Sequence, residues 1–261
     1  MLSLHMGWEH VLFASWPVDP AVVARTLPGG LEPDTYEGDA YLSVVPFTNV
    51  DVRPEWLPEG VGVPLPELNL RTYVRLSDAA AAGVASGNGA DTAGDDPGPT
   101  DPGAGVYFYS LDADGLASVA GARLLHSLPY YFASVDFRET DDGVRFSSRR
   151  RHPGARAAGF AAEYGPVGES YTAERGSLDS FLTDRVRYFA ETSNGDLRYA
   201  TVSHERWPLY DAELELYRND LFDANGFETP AGEPVVQYSP RVTTHASPSR
   251  PVSGLTGTRQ A

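Results

Sequence analysis

One stretch decides the fold class of this chain: Pro66-Glu-Leu-Asn-Leu-Arg-Thr-Tyr-Val-Arg75. Successive side chains of a β-strand point to opposite faces, so Glu67, Asn69 and Arg71 share one face while the other is mostly apolar. Two interpretations of the polar face remain open. It faces solvent if the strand belongs to an antiparallel sheet with one wet side. It lines an interior if the sheet closes into a barrel, where buried charges must be paired and are more often functional.

Strand-like runs recur on both sides of this stretch, with turn residues between them. The predicted strands are Ala40–Phe47, Leu68–Leu76, Val106–Leu111, Tyr130–Phe137, Val144–Arg149, Gly159–Tyr164, Leu197–His204, Ala212–Tyr217 and Val235–Thr244. Many strands with few helices predict a β-rich α+β fold, built as a barrel or a sandwich.

Three helices are predicted between the strands. The first has Asp19 as its cap and runs to Leu27, before a Pro-Gly-Gly stop. A second, short helix is predicted over Asp114–Leu125. The third begins at Ser177, and its apolar residues fall on one helical face as far as Phe189.

One domain is predicted over residues 1–245, with a low-complexity segment inside it and another after it. Ala79–Gly105 consists almost entirely of small and polar residues, which cannot bury a core. We therefore expect a flexible, solvated loop that joins two paired strands. Residues 246–261 are rich in Ser, Pro, Gly and Thr and are predicted to form a disordered tail.

The composition excludes several classes of partner. The 261 residues carry a formal net charge of −16, from 36 acidic residues against 20 arginines and no lysine. Such a surface repels nucleic acids and anionic membranes, and it is typical of proteins adapted to high salt. Because the chain has no cysteine, it can form neither disulfide bonds nor thiolates. No long apolar run and no signal-peptide pattern is present, so we expect a cytoplasmic protein without membrane association.

No motif for a metal or a cofactor stands out. The six histidines show no metal-ligand spacing, and Gly87–Gly94 matches neither phosphate-loop pattern. We therefore expect no metal and no cofactor. The cluster Arg149-Arg-Arg-His152 has two interpretations: a solvated strand end paired with carboxylates, or a site that captures an anion.

Seven ordered motifs resemble the YqjF-like family of uncharacterised proteins, over roughly residues 8–245. They are Trp16–Pro20, Leu27–Glu32, Tyr41–Pro46, Pro66–Arg75, Gly105–Asp112, Leu128–Tyr131 and Trp207–Leu209. That family is similar in turn to acetoacetate decarboxylase. The resemblance implies an acetoacetate-decarboxylase-like antiparallel β-barrel or cone with a few flanking helices, and it allows a homo-oligomer.

The same resemblance bears on the reaction. Acetoacetate decarboxylase relatives carry two lysines after a Gly-x-Pro motif, and the first lysine forms a Schiff base. Here Pro129 matches the proline, while Tyr130 and Tyr131 occupy the two lysine positions. Arg123 matches the arginine of the preceding motif, and Leu124 stands where its glutamate would be. Because a lysine amine is the usual Schiff-base former, the resemblance implies the scaffold without the imine mechanism.

What the resemblance implies for the site is a pocket for a small polar or anionic ligand of oxo-acid type. Glu67 matches a glutamate of the decarboxylase pocket and is the candidate for proton transfer. Tyr130 and Tyr131 are the other catalytic candidates, and only one of them enters the pocket because neighbours on a strand point apart. The candidate ligand-binding residues are Arg71, Arg123 and Asn69.

Three functions remain open at this point. The leading prediction is a small-molecule-binding protein or a lysine-independent lyase, hydratase or isomerase, and the alternatives are a non-catalytic carrier or sensor and a structural partner subunit. A separate structural interpretation is that the Glu–Arg–Tyr network merely closes the barrel.

Overall fold

A computed structural model describes residues 4–54, 56–78, 80–81, 103–115 and 127–252. These residues form thirteen strands and three short helices. The strands are β1 (Leu4–Val18), β2 (Leu31–Pro33), β3 (Ala40–Pro54), β4 (Val63–Leu76), β5 (Ala104–Ala113), β6 (Tyr130–Thr140), β7 (Gly143–Arg150), β8 (Gly159–Tyr171), β9 (Arg187–Glu191), β10 (Leu197–His204), β11 (Leu209–Asn219), β12 (Val235–Ala246) and β13 (Arg250–Pro251). The helices are α1 (Pro20–Ala24), α2 (Leu178–Thr183) and α3 (Leu221–Ala224). The predicted β-rich fold with few helices is confirmed.

All of these strands belong to one sheet that closes on itself twice. The first closure pairs β4 with β5 and makes a large ring in the order β5-β6-β7-β8-β11-β12-β1-β3-β4. The second closure pairs β10 with β12 and makes a small ring in the order β5-β9-β10-β12-β1-β3-β4. Strands β1, β3, β4, β5 and β12 therefore belong to both rings, and their two faces serve different interiors.

The two ring interiors hold separate hydrophobic clusters. On β4, Leu68 and Leu70 are fully buried and belong to the cluster that includes Phe146 of β7 in the large ring. Tyr73, on the other face of β4, belongs to the cluster that includes Tyr188 of β9 in the small ring. Because side chains alternate along a strand, the face of β4 that carries Tyr73 also carries the polar residues of the same strand.

This closure decides between the two interpretations of the polar face. Glu67 is 4% exposed and Asn69 is 3% exposed, so the solvent-facing interpretation is wrong. The physical reason is that β4 has hydrogen-bonded neighbours at both edges, β3 and β5, and a ring interior on each side. The polar face of β4 lines the interior of the small ring.

The helices are shorter than the sequence pattern predicts. Asp19 caps α1 by accepting a hydrogen bond from the amide of Ala21 at 2.8 Å, but the helix ends at Ala24 rather than Leu27. The predicted helix from Ser177 to Phe189 is wrong beyond α2, because the following residues form β9. The apolar spacing also suits a strand here, since β9 pairs with β5 on one edge and β10 on the other.

Other boundaries also differ from the prediction. Strand β1 was not predicted, although it pairs along most of its length with β3 and β12. The predicted tail begins too early, because Ala246 ends β12 and Arg250–Pro251 pairs with β10. Strands β4 and β5 pair antiparallel, as expected for strands joined by the long loop. The predicted helix over Asp114–Leu125 lies mostly outside the described residues, as do 82–102 of the loop.

Candidate functional site

The centre of the candidate site is the carboxyl group of Glu67, inside the small ring. Its Oε2 accepts a hydrogen bond from the Tyr130 hydroxyl at 3.0 Å and another from Asn49 Nδ2 at 3.3 Å. The Asn49 amide is oriented by Trp8, whose indole Nε1 donates to Asn49 Oδ1 at 2.9 Å. The carboxyl group is thus held by neighbours on β3 and β6 as well as by its own strand.

Burial changes the acidity of this carboxyl group. Loss of hydration raises the pKa of Glu67 to about 7, and the hydrogen bonds from Tyr130 and Asn49 oppose the rise. The same surroundings hold the pKa of the Tyr130 hydroxyl well above its usual range, chiefly through burial. Glu67 therefore exchanges its proton near neutral pH, whereas Tyr130 stays a hydrogen-bond donor.

The two neighbouring tyrosines enter different rings. On the parallel pairing of β5 with β6, Tyr130 stands opposite Leu111 and Tyr131 opposite Asp112. Tyr131 lies under the guanidinium of Arg150, 4.1 Å from the ring centre, and so faces the large ring. Tyr131 was a catalytic candidate alongside Tyr130, but the structure places it away from Glu67.

Arg71 lies at the other end of the polar row on β4. One of its terminal nitrogens, Nη2, donates to the carbonyl oxygen of Leu182 at 3.1 Å, and its guanidinium lies 5.3 Å from the ring centre of Phe13. Its Nε is buried and meets no hydrogen-bond partner among the described residues. Between Arg71 and Glu67, the Oδ1 of Asn69 is likewise buried and unpartnered within the described chain.

Helix α2 lies against this end of the small ring. The Leu182 carbonyl that binds Arg71 also accepts from the Tyr73 hydroxyl at 2.8 Å. On the opposite wall, Gln237 of β12 donates through Nε2 to Asp179 Oδ1 at 2.6 Å. Short contacts from both walls thus hold α2 in place, and they leave Gln237 Oε1 buried without a partner in the described part of the chain.

Sequence reasoning missed Asn49 and Gln237 of this interior. It also missed His204 at the end of β10. Its imidazole packs 4.8 Å from the ring centre of Trp207, and its Nδ1 lies 2.7 Å from the carbonyl oxygen of Glu205. Burial lowers the pKa of His204, the Glu205 carbonyl and the negative charge of Asp184 oppose this, and the positive charge of Arg71 adds a smaller lowering. No spacing to another histidine marks this residue in the sequence. Its only signal was its place at the end of a predicted strand.

A surface cleft of about 460 Å³ opens between β5, β9 and the segment that precedes β6. Its lining includes Phe108, Ala190 and Ser127–Pro129. Ser127 adopts a left-handed backbone conformation, with φ of 56°, which residues other than glycine rarely do. The cleft lining contains neither Glu67 nor Arg71, so its relation to the site rests on sequence proximity to Tyr130.

A buried ion pair braces the large ring behind the site. Arg150 Nε donates to Asp112 Oδ1 at 2.8 Å, and both side chains are 2% exposed. Burial raises the pKa of Asp112 to about 6, against the opposing charge of Arg150. Arg150 was one of the residues in the predicted basic cluster, and it is paired with a carboxylate rather than solvated.

The last of the predicted site residues, Arg123, lies outside the described residues. Over the ranges that the structure covers, no group of His, Asp and Glu side chains is arranged to hold a metal ion. In the same ranges, no helix is long and apolar enough to cross a membrane.

Comparison with known proteins identifies relatives along most of the chain. The model of the DUF2071 family, described as an uncharacterised conserved protein (COG2071), matches residues 5–86 and 99–243. The uncharacterised protein YqjF of Bacillus subtilis is 36% identical over 237 residues, which cover 90% of this chain and 87% of that protein.

Solved structures share the fold at low sequence identity. The enduracididine biosynthesis enzyme MppR complexed with pyruvate has a TM-score of 0.60 at 14% identity, covering 97% of this chain and 91% of that one. Acetoacetate decarboxylase from Legionella pneumophila has a TM-score of 0.55 at 13% identity, covering 97% and 88%. The fold is therefore acetoacetate-decarboxylase-like, as the resemblance implied.

Proposed function

The chain belongs to the DUF2071 family of uncharacterised conserved proteins, and from this premise we propose that it binds a small oxo-acid-like metabolite inside the small ring and transfers a proton on it. Glu67 is the proton-transferring residue, Tyr130 assists it as a donor, and Arg71 binds the carboxylate of the ligand. The reaction class is that of a lyase, hydratase or isomerase that needs no Schiff base.

The observation that carries this proposal is the Glu67–Tyr130 pair. A carboxyl group with a pKa of about 7 is available as base and as acid at neutral pH, which is the condition for efficient general acid–base catalysis. The hydroxyl of Tyr130, 3.0 Å away, donates and does not itself ionise in this range. A developing enolate oxygen near this pair would find a hydrogen-bond donor.

The ligand class is argued from charge and from one structural neighbour. Arg71 brings a permanent positive charge into an interior with unpartnered polar atoms, and guanidinium groups suit carboxylates. The neighbour MppR is described in complex with pyruvate, which is a 2-oxo acid. At 14% identity this likeness extends to the fold, and the choice of an oxo-acid for this chain is our inference.

The absence of lysine limits the chemistry. A ketone cannot form an imine with a lysine side chain here, because all 20 basic residues of the chain other than histidine are arginine. Proton transfer with hydrogen bonding to the carbonyl oxygen activates a carbon beside a carbonyl without an imine. Glu67 and Tyr130 supply these two elements.

The experiment is proton exchange followed by NMR. 4-Oxopentanoate, whose ketone lies three carbons from its carboxylate, is the probe because Arg71 and Glu67 are four residues apart on β4. In D₂O it should exchange the protons beside its ketone faster with the protein than in buffer, because abstraction by Glu67 precedes any later step. Glu67→Gln should lower this exchange by roughly a hundredfold or more, the usual scale of general base catalysis. Tyr131→Phe is the matched control, since Tyr131 faces the large ring and its loss should leave exchange unchanged.

Binding measured beside exchange separates the alternatives. Calorimetric binding of 4-oxopentanoate without enhanced exchange would favour the non-catalytic carrier or sensor. The proposed function would be refuted if 4-oxopentanoate and its longer homologues neither bind to the protein nor exchange protons faster in its presence. The Glu67 network would then be a structural closure of the barrel.

A further inference from the structure

Arg71 and His204 share one region of the small-ring interior. The positive charge of Arg71 and the negative charge of Asp184 both act on the His204 imidazole. The side chains of Arg71 and His204 reach the same aromatic group. Phe13 lies 5.3 Å from the Arg71 guanidinium and 5.1 Å from Trp207, which in turn packs against His204. Each of the two residues has one buried nitrogen without a hydrogen-bond partner in the described ranges, Nε of Arg71 and Nε2 of His204.

The protonation of His204 follows from its surroundings. The carbonyl oxygen of Glu205 can only accept, so the Nδ1 that lies 2.7 Å from it carries the proton. Burial lowers the pKa of the imidazole, which keeps the ring neutral at pH 7. Nε2 is therefore a bare acceptor, whereas Nε of Arg71 is always a donor.

A ligand group that satisfies both atoms must accept from Arg71 and donate to His204. A carboxylate accepts, and so does a ketone oxygen, but neither can donate. A hydroxyl group beside a carboxylate provides the missing donor. We infer that Arg71 and His204 together recognise the carboxylate and the 2-hydroxyl group of a 2-hydroxy acid, an inference that rests on the proposed binding of a carboxylic acid in the small ring.

The rest of the polar row agrees with a hydroxylated ligand. Asn69 Oδ1 is a second buried acceptor without a partner among the described residues, and it lies between Arg71 and Glu67 on β4. Four residues of strand separate the Cα atoms of Arg71 and Glu67 by about 13 Å. A ligand that reaches from one to the other needs a chain of several carbons, with its carboxylate and 2-hydroxyl group at Arg71 and the carbonyl group of the proposed reaction farther along the chain, near Glu67. The single guanidinium group of Arg71 pairs with one carboxylate, so it suits a monocarboxylic acid better than a dicarboxylic acid.

The test compares matched acids that differ only in the oxidation of carbon 2. The probes are the two enantiomers of 2-hydroxypentanoate and the corresponding 2-oxopentanoate, titrated calorimetrically at pH 7. One hydroxy enantiomer should bind roughly tenfold or more tightly than the oxo acid, because the oxo acid leaves a buried acceptor unpaired. Equal or tighter binding of the oxo acid would overturn the inference while leaving the proposed binding of a carboxylic acid intact.

Two substitutions at His204 assign the preference to its Nε2. His204→Gln places an amide oxygen, an acceptor, near the position of Nε2, and it should keep the preference for the hydroxy acid. His204→Asn keeps a donor for the Glu205 carbonyl but has no atom at the position of Nε2, so it should lose the preference while still binding the oxo acid.

Thermal unfolding shows whether each variant is folded. If only one of the two variants folds, its binding preference still tests the role of His204. A preference that persists in His204→Asn, or that disappears in His204→Gln, would contradict the role of His204. If no acid of either kind binds the wild-type protein, the proposed function fails as well, which separates the two failures.

Discussion

Removing the Tyr130 hydroxyl should raise the pKa of Glu67. That hydroxyl donates to Glu67 Oε2 at 3.0 Å and lowers the pKa of a carboxyl group that burial has raised to about 7. Hydrogen bonds to charged groups contribute about 1.5–3 kcal/mol, and one pH unit corresponds to about 1.4 kcal/mol. Tyr130→Phe should therefore raise the pKa of Glu67 by about one to two pH units.

The assay is a carboxyl titration by carbon-13 NMR on protein labelled at glutamate, with Glu67→Gln to assign the signal. Tyr131→Phe is the matched control, because Tyr131 occupies the next position on β6 and faces Arg150 in the large ring. In Tyr131→Phe, the titration curve of Glu67 should coincide with that of the wild-type protein. A pKa of Glu67 that stays the same or falls in Tyr130→Phe would refute the hydrogen bond as the opposing influence, and with it the assignment of Tyr130 to the site.

Three further predictions concern stability and covalent chemistry. Because burial raises the folded-state pKa of Glu67 from 4.5 to about 7, its contribution to stability is complete below pH 4.5 and is lost as the pH rises through 7. The unfolding free energy of Glu67→Gln relative to wild type should therefore rise by about 2.5 kcal/mol between pH 5 and pH 8, and a constant difference in urea unfolding would contradict this. Arg150→Met should lower the free energy of unfolding by about 3–5 kcal/mol at pH 8, because it leaves Asp112 buried and unpaired. The control is Arg145→Met at an exposed ion pair, which should lower the free energy of unfolding by at most about 1 kcal/mol in the same urea assay. Borohydride with acetoacetate should trap no adduct on any side chain, as judged by peptide mass spectrometry, and one trapped adduct would overturn the lysine-independent chemistry.

The fold was largely accessible from the sequence, for a local reason. The alternation along Pro66–Arg75 and the turn residues between strands are local signals, and they predicted a β-rich fold correctly. The prediction of a helix as far as Phe189 was wrong beyond α2. Apolar residues spaced three and four apart are typical of a helix, but they also occur in a strand that is buried on both faces. Strand β1 was missed because its partners at both edges, β3 and β12, are distant in the sequence.

The site was accessible only in part. Glu67, Asn69, Arg71 and Tyr130 were named from the strand pattern and the resemblance, and the structure brings them to the small-ring interior. His204 carried no signal beyond its place at the end of a predicted strand, because its surroundings include Arg71, 133 positions away in the sequence, and a carbonyl that sets its tautomer. Which of two adjacent tyrosines meets Glu67 also depended on register, and a shift of one residue would exchange them.

The sequence by itself determined that this chain has no lysine for an imine, that its strands alternate, and that Glu67 and Arg71 share a face. These are properties of composition and of neighbours along one strand. Only the tertiary structure decided that the shared face is buried, because burial depends on the double closure of the sheet through β4–β5 and β10–β12. The pKa of Glu67 follows from that closure, since a carboxyl group loses its hydration only when strands distant in sequence enclose it.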